Sequence, residues 1–238
     1  MNLVLTMAGS YQRFAHEGFN IPKYLLPWGC QTLLSMILSE LNKSKVFNEI
    51  FLVANHRDEA YMPHVRAVMR AHEIGLSNLI MTGDTTGQVE TAMIGVAAVE
   101  NAAGPANQPI IFHNIDTLLL GRDLSELRAS LETHSGFIDV FSANNKDYSY
   151  VLVDSKNRVT EIAEKIVVSD LATSGLYAFQ SSELFRRYAT PQDVFVSSVF
   201  ERMIESGLSV MASSKHKESD TIVLSTPSDF MNASLALL

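Results

Sequence analysis

The 238-residue chain lacks several features that would define its class at once. Its single cysteine, Cys30, cannot form an internal disulfide, and this fits a reducing compartment. No run reaches the roughly 18 consecutive apolar residues of a membrane-spanning helix, and no basic segment precedes the short apolar run near the N-terminus. These absences predict a cytoplasmic protein with no membrane partner.

A basic cluster is missing as well. The formal net charge is −8, and the lysines and arginines are scattered along the chain, whereas a nucleic-acid-binding surface needs a basic face. We therefore expect no nucleic-acid partner. A free nucleotide remains compatible with an acidic chain, because a bound divalent cation offsets the charge of both protein and phosphate.

No linker rich in Pro, Gly or Ser, no repeat and no low-complexity tract divides the sequence, so residues 1–238 are expected to form a single domain. The pattern of apolar residues changes near residue 137. Before that point predicted strands alternate with helices, which indicates right-handed βαβ units. After it, four strand-like segments follow one another and indicate mixed or antiparallel pairing.

The predicted strands are Leu3–Thr6, Ile50–Ala54, Leu79–Met81, Ile110–Phe112, Phe137–Ser142, Tyr148–Val153, Arg158–Ile162 and Leu176–Phe179. The predicted helices are Leu33–Leu41, Asp58–His72, Val89–Glu100, Asp123–Glu132, Ser182–Tyr188 and Val194–Ser206, with Asp58 as an N-cap. The sequence therefore predicts an α/β fold whose mostly parallel mixed sheet is flanked by helices. Ligands of such a sheet bind beyond the carboxyl ends of its strands, so the residues after Thr6, Ala54, Met81 and Phe112 are the candidates for a site.

Neither common phosphate-binding fingerprint is present, since the chain has no G-x-G-x-x-G and no G-x-x-x-x-G-K-[ST]. The first strand is instead followed by a loop with one glycine, Gly9, which would let backbone N–H groups approach an anion. Arg13 can donate two parallel hydrogen bonds to phosphate oxygens, and Lys23 supplies a point charge whose backbone is fixed by Pro22. Solvated surface charges are the alternative interpretation of both basic residues.

Two further clusters lie at predicted strand ends. Asp116 follows a buried strand and is well placed to hold Mg²⁺ on a nucleotide phosphate, or to cap the following segment. Lys165 follows the strand-like segment that ends at Ile162, and it could hold a second phosphate or be an exposed charge.

Taken in order, these segments resemble the sugar-phosphate nucleotidyltransferase family, in particular the branch found in capsule and surface-polysaccharide gene sets. The resemblance covers nearly the whole chain. Each block alone is weakly specific, and the six in order are fairly specific: LTMAGSYQRF, PKYLL, TTGQVETA, FHNIDTLLL, VTEIAEKIVVSDLATSGLYAF and STPSDF.

The resemblance implies a Rossmann-like core of the GT-A type and a Mg²⁺-dependent reaction. A phosphate oxygen of the acceptor attacks the α-phosphorus of an NTP, and pyrophosphate leaves. In the part of the chain up to residue 136, the nucleotide-binding half, Ala8 and Gly9 would lie against the nucleotide and Gly87 near its base or ribose. Arg13 would stabilise the departing pyrophosphate, and Lys23 would neutralise the α-phosphate.

The resemblance also implies a metal ligand and an acceptor site. Asp116 would hold Mg²⁺. In the acceptor-binding half, residues 137–238, Lys165 would bind the acceptor's phosphate and Gly175 would let the backbone approach the acceptor. Such a set of cations and one carboxylate suits phosphoryl-type transfer, in which the protein mainly positions the reactants and offsets their charge.

The first loop departs from the family pattern G-x-G-[ST]-R. Tyr11 replaces the second glycine, and Gln12 replaces the hydroxyl residue. If position 11 requires a positive φ, a tyrosine there costs about 1–2 kcal/mol, so the loop is expected to follow another path. The ring could then stack on a base.

The residues around the expected metal ligand also depart from the family pattern. Ile115 stands where a glycine often precedes the aspartate, and Ser225 replaces the glycine of the D-x-G-T-P block. Val223 occupies the position of that block's aspartate, and Asp220 is nearby but out of register. Asp116 is therefore the one strong protein ligand for Mg²⁺ that the sequence identifies.

Three interpretations follow. The leading one is a nucleotidyltransferase that uses an NTP and a phosphorylated small molecule. The second is a non-catalytic relative that binds a nucleotide or sugar nucleotide, for which Tyr11 and Val223 argue. The third is a GT-A glycosyltransferase with Asn114-Ile115-Asp116 as its metal motif. The sequence does not identify the base, the acceptor or the oligomeric state, and a homo-oligomer is possible.

On the leading interpretation, five residues are expected to line one cleft: Gly9, Arg13, Lys23, Gly87 and Asp116.

Overall fold

A computed structural model describes residues 1–104 and 108–235. Its strands are β1 Asn2–Thr6, β2 Pro27–Trp28, β3 Gln31–Thr32, β4 Glu49–Asn55, β5 Leu79–Thr82, β6 Ile110–Asn114, β7 Thr117–Leu119, β8 Gly136–Ser142, β9 Tyr150–Val153, β10 Val159–Ala163, β11 Leu171–Phe179, β12 Val210–Ala212 and β13 Thr221–Val223. Its α-helices are α1 Gln12–His16, α2 Leu33–Leu41, α3 Met62–Ala71, α4 Gln88–Ala103, α5 Ser125–Ser130, α6 Ser182–Tyr188, α7 Val196–Glu205 and α8 Pro227–Leu235. Short 3₁₀ helices cover Lys23–Leu25, Asn42–Ser44, His56–Tyr61, Leu76–Asn78 and Glu218–Asp220.

Nine of these strands form one mixed sheet within the described part of the chain. The strands of the first half lie in the order β6-β1-β4-β5 and are all parallel. Strand β11 pairs antiparallel with β6 and connects this parallel part to β8, β9 and β10 of the second half. The predicted α/β fold with a mixed sheet is therefore confirmed, including the change of pairing after residue 137.

The core lies on both faces of the sheet. Along β1, Leu3 and Leu5 face one side and Val4 faces the other, as the two-residue period of a strand requires. The Leu3 side is covered by α2, α3 and the C-terminal helix α8, whereas the Val4 side is covered by α4, α6 and α7. Both faces of the parallel strands are thus buried, which explains why these strands read as continuous apolar runs in the sequence.

A polar residue ends each of the four parallel strands. These residues are Thr6, Asn55, Thr82 and Asn114. Because the strands run in one direction, their carboxyl ends share one edge of the sheet, and the loops that follow them converge there. This edge carries the candidate site.

The structure corrects several predicted elements. The segment Asp58–His72 does not form one helix, because a 3₁₀ helix over His56–Tyr61 precedes α3. Asn55 caps that 3₁₀ helix by accepting from the Arg57 N–H, so the N-cap assigned to Asp58 is wrong. The strand expected at Leu176–Phe179 starts at Leu171 and contains an irregular register around Gly175.

Five short strands were not predicted from the sequence. They are β2, β3, β7, β12 and β13, of two or three residues each. Segments of this length show no apolar alternation, so only tertiary contacts reveal them.

Candidate active site

Two adjoining pockets open at the carboxyl edge of the sheet. The first pocket has a volume of about 380 Å³ and the second about 240 Å³. The first is lined by Thr6, Met7, Gly9, Ser10, Tyr11, Lys23, Tyr24, Thr85, Thr86, Gly87, Gln88, Thr91, Asn114, Ile115, Asp116, Val194 and Phe195. The second is lined by Gln88, Asn114, Asp116, Thr117, Asp147, Tyr148, Ser149, Glu164, Lys165, Thr173, Ser174, Gly175, Tyr177, Phe195, Val223 and Ser225. Four residues line both pockets, so the two form one continuous cleft.

Lys23 and Asp116 meet at the junction of the two pockets. The Lys23 ammonium donates to Asp116 Oδ2 at 2.7 Å, and the two side chains are 17% and 24% exposed. Burial alone would raise the pKa of the Asp116 carboxyl, but the charge of Lys23 and its hydrogen bond outweigh burial and hold that pKa below its usual value. A cation and a carboxylate are thus fixed together where ligands in the two pockets would touch.

The loop after β1 forms one wall of the first pocket. Gly9, Ser10 and Tyr11 line the pocket, whereas Ala8 is buried and its carbonyl accepts a hydrogen bond from Arg57 Nη2 at 2.6 Å. Tyr11 has φ −100° and ψ 39°, outside the left-handed region. The tyrosine is therefore accommodated without left-handed strain.

The buried carboxylate of Asp58 binds this loop on the side away from the pocket. Asp58 is fully buried, and its Oδ1 accepts from the Tyr11 hydroxyl at 2.7 Å, while its Oδ2 accepts from the Tyr24 hydroxyl at 2.9 Å. Burial and the neighbouring Asp58 charge raise the pKa of both phenols well above their usual value. Both tyrosines therefore remain protonated donors across the physiological pH range.

The loop 83–87 forms the opposite wall. Asn55 Nδ2 donates to the Gly83 carbonyl at 2.9 Å and to Asp84 Oδ1 at 3.0 Å, and Arg57 Nη1 donates to the same Asp84 oxygen at 2.9 Å. Arg57 therefore connects the 83–87 loop to Ala8 in the loop after β1.

Gly87 lies where another segment crosses the start of α4. An added Cβ would fall 2.6 Å from both Cα and the carbonyl oxygen of Val194, and the Gln88 N–H donates to that carbonyl at 2.8 Å. Gly87 has φ 178°, which any residue can adopt, so the close approach of Val194 is what requires glycine there. Val194 and Phe195 thereby complete the first pocket from the second half of the chain.

The second pocket has a wall of hydroxyl and carboxylate groups. Glu164 accepts from the hydroxyls of Ser149 and, at 2.9 Å, Ser197. Burial raises the pKa of Tyr177 to about 12, and its hydroxyl lies 3.0 Å from that of Thr173. Such groups can donate to and accept from a ligand that carries several hydroxyls.

Lys165 stands at the exposed rim of this second pocket. Its ammonium lies 5.2 Å from the centroid of the Phe195 ring, a cation–π distance. Its φ of 57° places it in the left-handed region, which is uncommon for a lysine. Backbone strain of this kind often marks functional positions.

Gly175 belongs to the irregular part of β11 and has φ +84°. A Cβ there would fall 2.5 Å from the side-chain nitrogen of Asn114. In this structure the space beside Gly175 is therefore filled by Asn114, whose Oδ1 accepts a hydrogen bond from Gln88. Gly175 itself lines the second pocket.

Val223 lies next to Asp116. Strand β13 pairs antiparallel with β7, Val223 is opposite Thr117, and the Leu224 N–H donates to the Asp116 carbonyl at 2.7 Å. Asp220 lies at the other end of this short ladder, where its carbonyl accepts from the Leu120 N–H. Within residues 1–104 and 108–235, no group of three or more His, Cys, Asp or Glu side chains is arranged to hold a metal ion.

Of the five residues expected to line one cleft, the structure brings together Gly9, Lys23, Gly87 and Asp116. Arg13 is placed elsewhere. It is exposed on α1 and borders a separate depression with Gln12, His16, Glu17 and Pro227.

Sequence reasoning missed the contribution of the segment after β4. Asn55 and Arg57 bind the loop 83–87, and Arg57 and Asp58 bind the loop after β1. The position after Ala54 is predicted to be part of the ligand-binding edge, but the loop residues that these side chains bind lie 27 to 49 residues away. Gln88 and Glu164 were missed for the same reason.

The mixed α/β sheet thus carries two adjoining pockets at its carboxyl edge, with the Lys23–Asp116 pair at their junction. Residues 7–235 match the Nucleotidyl transferase family, and the chain belongs to that family. It is similar to the bifunctional protein GlmU of Methanococcus aeolicus, with 24% identity over 183 residues. Those residues are 76% of this chain but 40% of that protein, so the chain spans less than half of that relative's length.

Solved structures show the same fold. The nucleoside-diphosphate-sugar pyrophosphorylase from Vibrio cholerae RC9 superposes with a TM-score of 0.82 at 22% identity, covering 97% of this chain and 98% of the other. The inositol-1-phosphate CTP transferase from T. maritima gives a TM-score of 0.75 at 13% identity, covering 99% of this chain and 94% of the other.

Among the described residues, no helix combines the length and apolar character needed to cross a membrane.

Proposed function

We propose that this protein transfers a nucleotidyl group from an NTP to a phosphorylated sugar or a similar small phosphorylated metabolite. An oxygen of the acceptor's phosphate attacks the α-phosphorus, the bond between the α-phosphorus and the bridging oxygen breaks, and pyrophosphate leaves with that oxygen. The observation that carries this proposal is the Lys23–Asp116 pair at the junction of the two pockets.

The first pocket is proposed to take the NTP. Gly9 and its neighbours offer backbone near the phosphates, and Gly87 gives access to the base or ribose. Lys23 is the cation that faces this pocket, and it would neutralise charge on the α-phosphate as the new bond forms. Arg13, assigned by resemblance to the pyrophosphate, would have to reach it from outside the first pocket.

The second pocket is proposed to take the acceptor. Lys165 at its rim would bind the acceptor's phosphate, while Glu164, Ser149 and Thr173 offer partners for several hydroxyl groups. A sugar phosphate or polyol phosphate has this combination of one charged end and many hydroxyls. We assign the product to the precursors of surface polysaccharides on the strength of the sequence resemblance.

Mg²⁺ is the cofactor that the family implies. Asp116 is a carboxylate at the junction of the two pockets, and the side chain of its neighbour Val223 has no oxygen, so Asp116 is the one strong side-chain ligand that we propose. This donor set fits a divalent cation that Asp116 would hold together with oxygens of the nucleotide's phosphates. Such a cation would offset the charge that accumulates during transfer.

A second candidate function is non-catalytic binding of a nucleotide or sugar nucleotide. Val223, at the aspartate position of the D-x-G-T-P pattern that the sequence resembles, is the observation that favours it, because a site with one metal ligand binds the cation weakly. Both candidates place NTP or sugar nucleotide in the same cleft, and turnover separates them. Either would act where nucleotides are available, and we propose the cytoplasm.

The test is a pyrophosphate-release screen with Mg²⁺, in which each of the four common NTPs meets a panel of sugar phosphates and polyol phosphates, inositol 1-phosphate included. Wild type should release pyrophosphate only when an NTP and a matching acceptor are both present. The Lys23→Ala variant is the matched control and should release far less with the same pair. Nucleotide binding without release for every pair would favour the non-catalytic function.

A further inference from the structure

Asp58 lies behind the first pocket and touches both ends of the segment that forms its wall. Tyr11 ends the loop after β1, and Tyr24 directly follows Lys23. One carboxylate binds the hydroxyls of both, with one oxygen for each, and it has no exposure to solvent. These contacts join residues 47 and 34 positions apart in the chain.

The segment between the two tyrosines has little regular structure to hold it. Residues 7–26 contain a five-residue helix and a three-residue 3₁₀ helix. Tyr24 is 1% exposed, whereas Tyr11 is half-buried and lines the first pocket. A hydrogen bond to a charged group is about twice as strong as one between neutral groups, so the Asp58 contacts are a strong constraint on this segment.

Arg57 extends the same constraint. Its guanidinium binds the Ala8 carbonyl on one side and Asp84 on the other. Adjacent residues of one turn therefore fix the loop after β1, the position of Lys23 and the 83–87 loop relative to one another.

We propose that Asp58 is a positioning residue for nucleotide transfer, which fixes the Tyr11 loop and Lys23 at the separation that an NTP requires. This inference rests on the proposed function. Asp58 does not line either pocket, so it acts through Tyr11 and Tyr24. Loss of either phenol hydroxyl frees one end of the segment while leaving the shape of the pocket nearly unchanged.

The experiment compares Tyr11→Phe, Tyr24→Phe and the double variant with wild type. Hydrogen–deuterium exchange of residues 8–26 is measured without ligand, and steady-state kinetics are measured with both substrates varied. Tyr150→Phe is the matched control, because Tyr150 is a buried tyrosine whose hydroxyl bonds to Asn145 in the second half of the chain.

Hydrogen–deuterium exchange at the backbone amides of residues 8–26 should become faster in both single variants and stay unchanged in Tyr150→Phe. kcat/KM for the NTP should fall about ten- to hundredfold, since misplacement of a reacting group by about 1 Å costs on the order of 10² in rate. KM for the acceptor should stay within about twofold of wild type, because the two tyrosines that Asp58 binds line the first pocket and not the second. The double variant should show faster exchange and a lower kcat/KM for the NTP than either single one, since it frees both ends of the segment.

Three results would overturn the inference. Unchanged exchange in residues 8–26 would show that Asp58 does not hold the segment, whatever the protein binds. Faster exchange with an unchanged kcat/KM for the NTP, or equal losses for both substrates and for Tyr150→Phe, would show a role in stability alone. Absence of turnover in wild type with every NTP would instead contradict the proposed function, and the exchange measurement separates these two failures.

Discussion

The backbone of Val194 crosses Gly87 so closely that a Cβ at position 87 would lie 2.6 Å from the Val194 Cα. Two halves of the chain therefore meet at the first pocket, and the contact leaves no room for any side chain at residue 87. The Gln88 N–H and the Val194 carbonyl, 2.8 Å apart, fix the same crossing by a hydrogen bond.

Gly87→Ala should push the Val194 segment away from α4 and open the first pocket. We expect NTP affinity to fall about ten- to hundredfold, because the residues that position the nucleotide move apart. Isothermal titration calorimetry with the NTP measures the change. Gly83→Ala is the matched control, since no atom lies within 4 Å of a Cβ added there. Equal affinities for the two variants would contradict the role of the crossing.

Asp193 anchors this crossing segment. It accepts hydrogen bonds from Arg202 Nη1 at 3.0 Å and from the Thr190 N–H at 2.7 Å. Burial alone would raise the pKa of the Asp193 carboxyl, but Arg202 and the Thr190 N–H outweigh burial and hold that pKa below its usual value.

Asp193→Asn should lower the free energy of unfolding by about 1.5–3 kcal/mol at pH 7, the range for hydrogen bonds to charged groups. A carboxylate whose pKa is lower in the folded state stabilises the fold above its unfolded pKa and loses that contribution as the pH falls through the folded pKa. The difference in the free energy of unfolding between wild type and variant should therefore persist down to about pH 4 and shrink at lower pH. Urea unfolding at pH 7, 5 and 3 measures it, and a difference that grows on acidification would contradict the assignment.

Lys165→Ala should weaken binding of the acceptor and leave binding of the NTP unchanged. A hydrogen bond to a charged group contributes roughly 1.5–3 kcal/mol, so KM for the acceptor should rise about ten- to hundredfold. Lys156→Ala, at an exposed lysine in the turn before β10, is the control. Equal losses of affinity for both substrates would identify Lys165 as a general charge and not a contact of the acceptor's phosphate.

Asp116→Asn should reduce turnover by about 10²–10³, the range for loss of one preorganised electrostatic group. Raising the Mg²⁺ concentration should recover part of the loss, because the amide still offers one oxygen. Asp220→Asn is the control and should keep wild-type turnover. Loss of turnover in Asp220→Asn alone would show that Asp220, and not Asp116, is the essential carboxylate.

The main architecture could be predicted because long elements have a period that survives in the sequence. The helix Leu33–Leu41 was predicted at its observed bounds, and the four parallel strands were located within one or two residues. The short pair β7–β13 could not be predicted, although it places Val223 beside Asp116. Three-residue strands depend on partners far away in the chain.

The site was partly predictable for a similar reason. Asp116 and Gly9 follow apolar strands, so their place at the carboxyl edge follows from the topology. Asp58 resembled a helix cap because a carboxylate before an apolar run usually is one. Its burial depends on the position of Tyr11 and Tyr24, which are 47 and 34 residues away in the chain. No local sequence pattern predicts contacts over that distance.

The measurement that tests the central claim most directly is ³¹P NMR of wild type with Mg²⁺, the active NTP and its acceptor. The account predicts that pyrophosphate and a nucleoside diphosphate linked to the acceptor form in equal amounts, and that Lys23→Ala and Asp116→Asn suppress both signals together. An unchanged spectrum from a protein that binds the NTP, or release of pyrophosphate without the linked product, would contradict it.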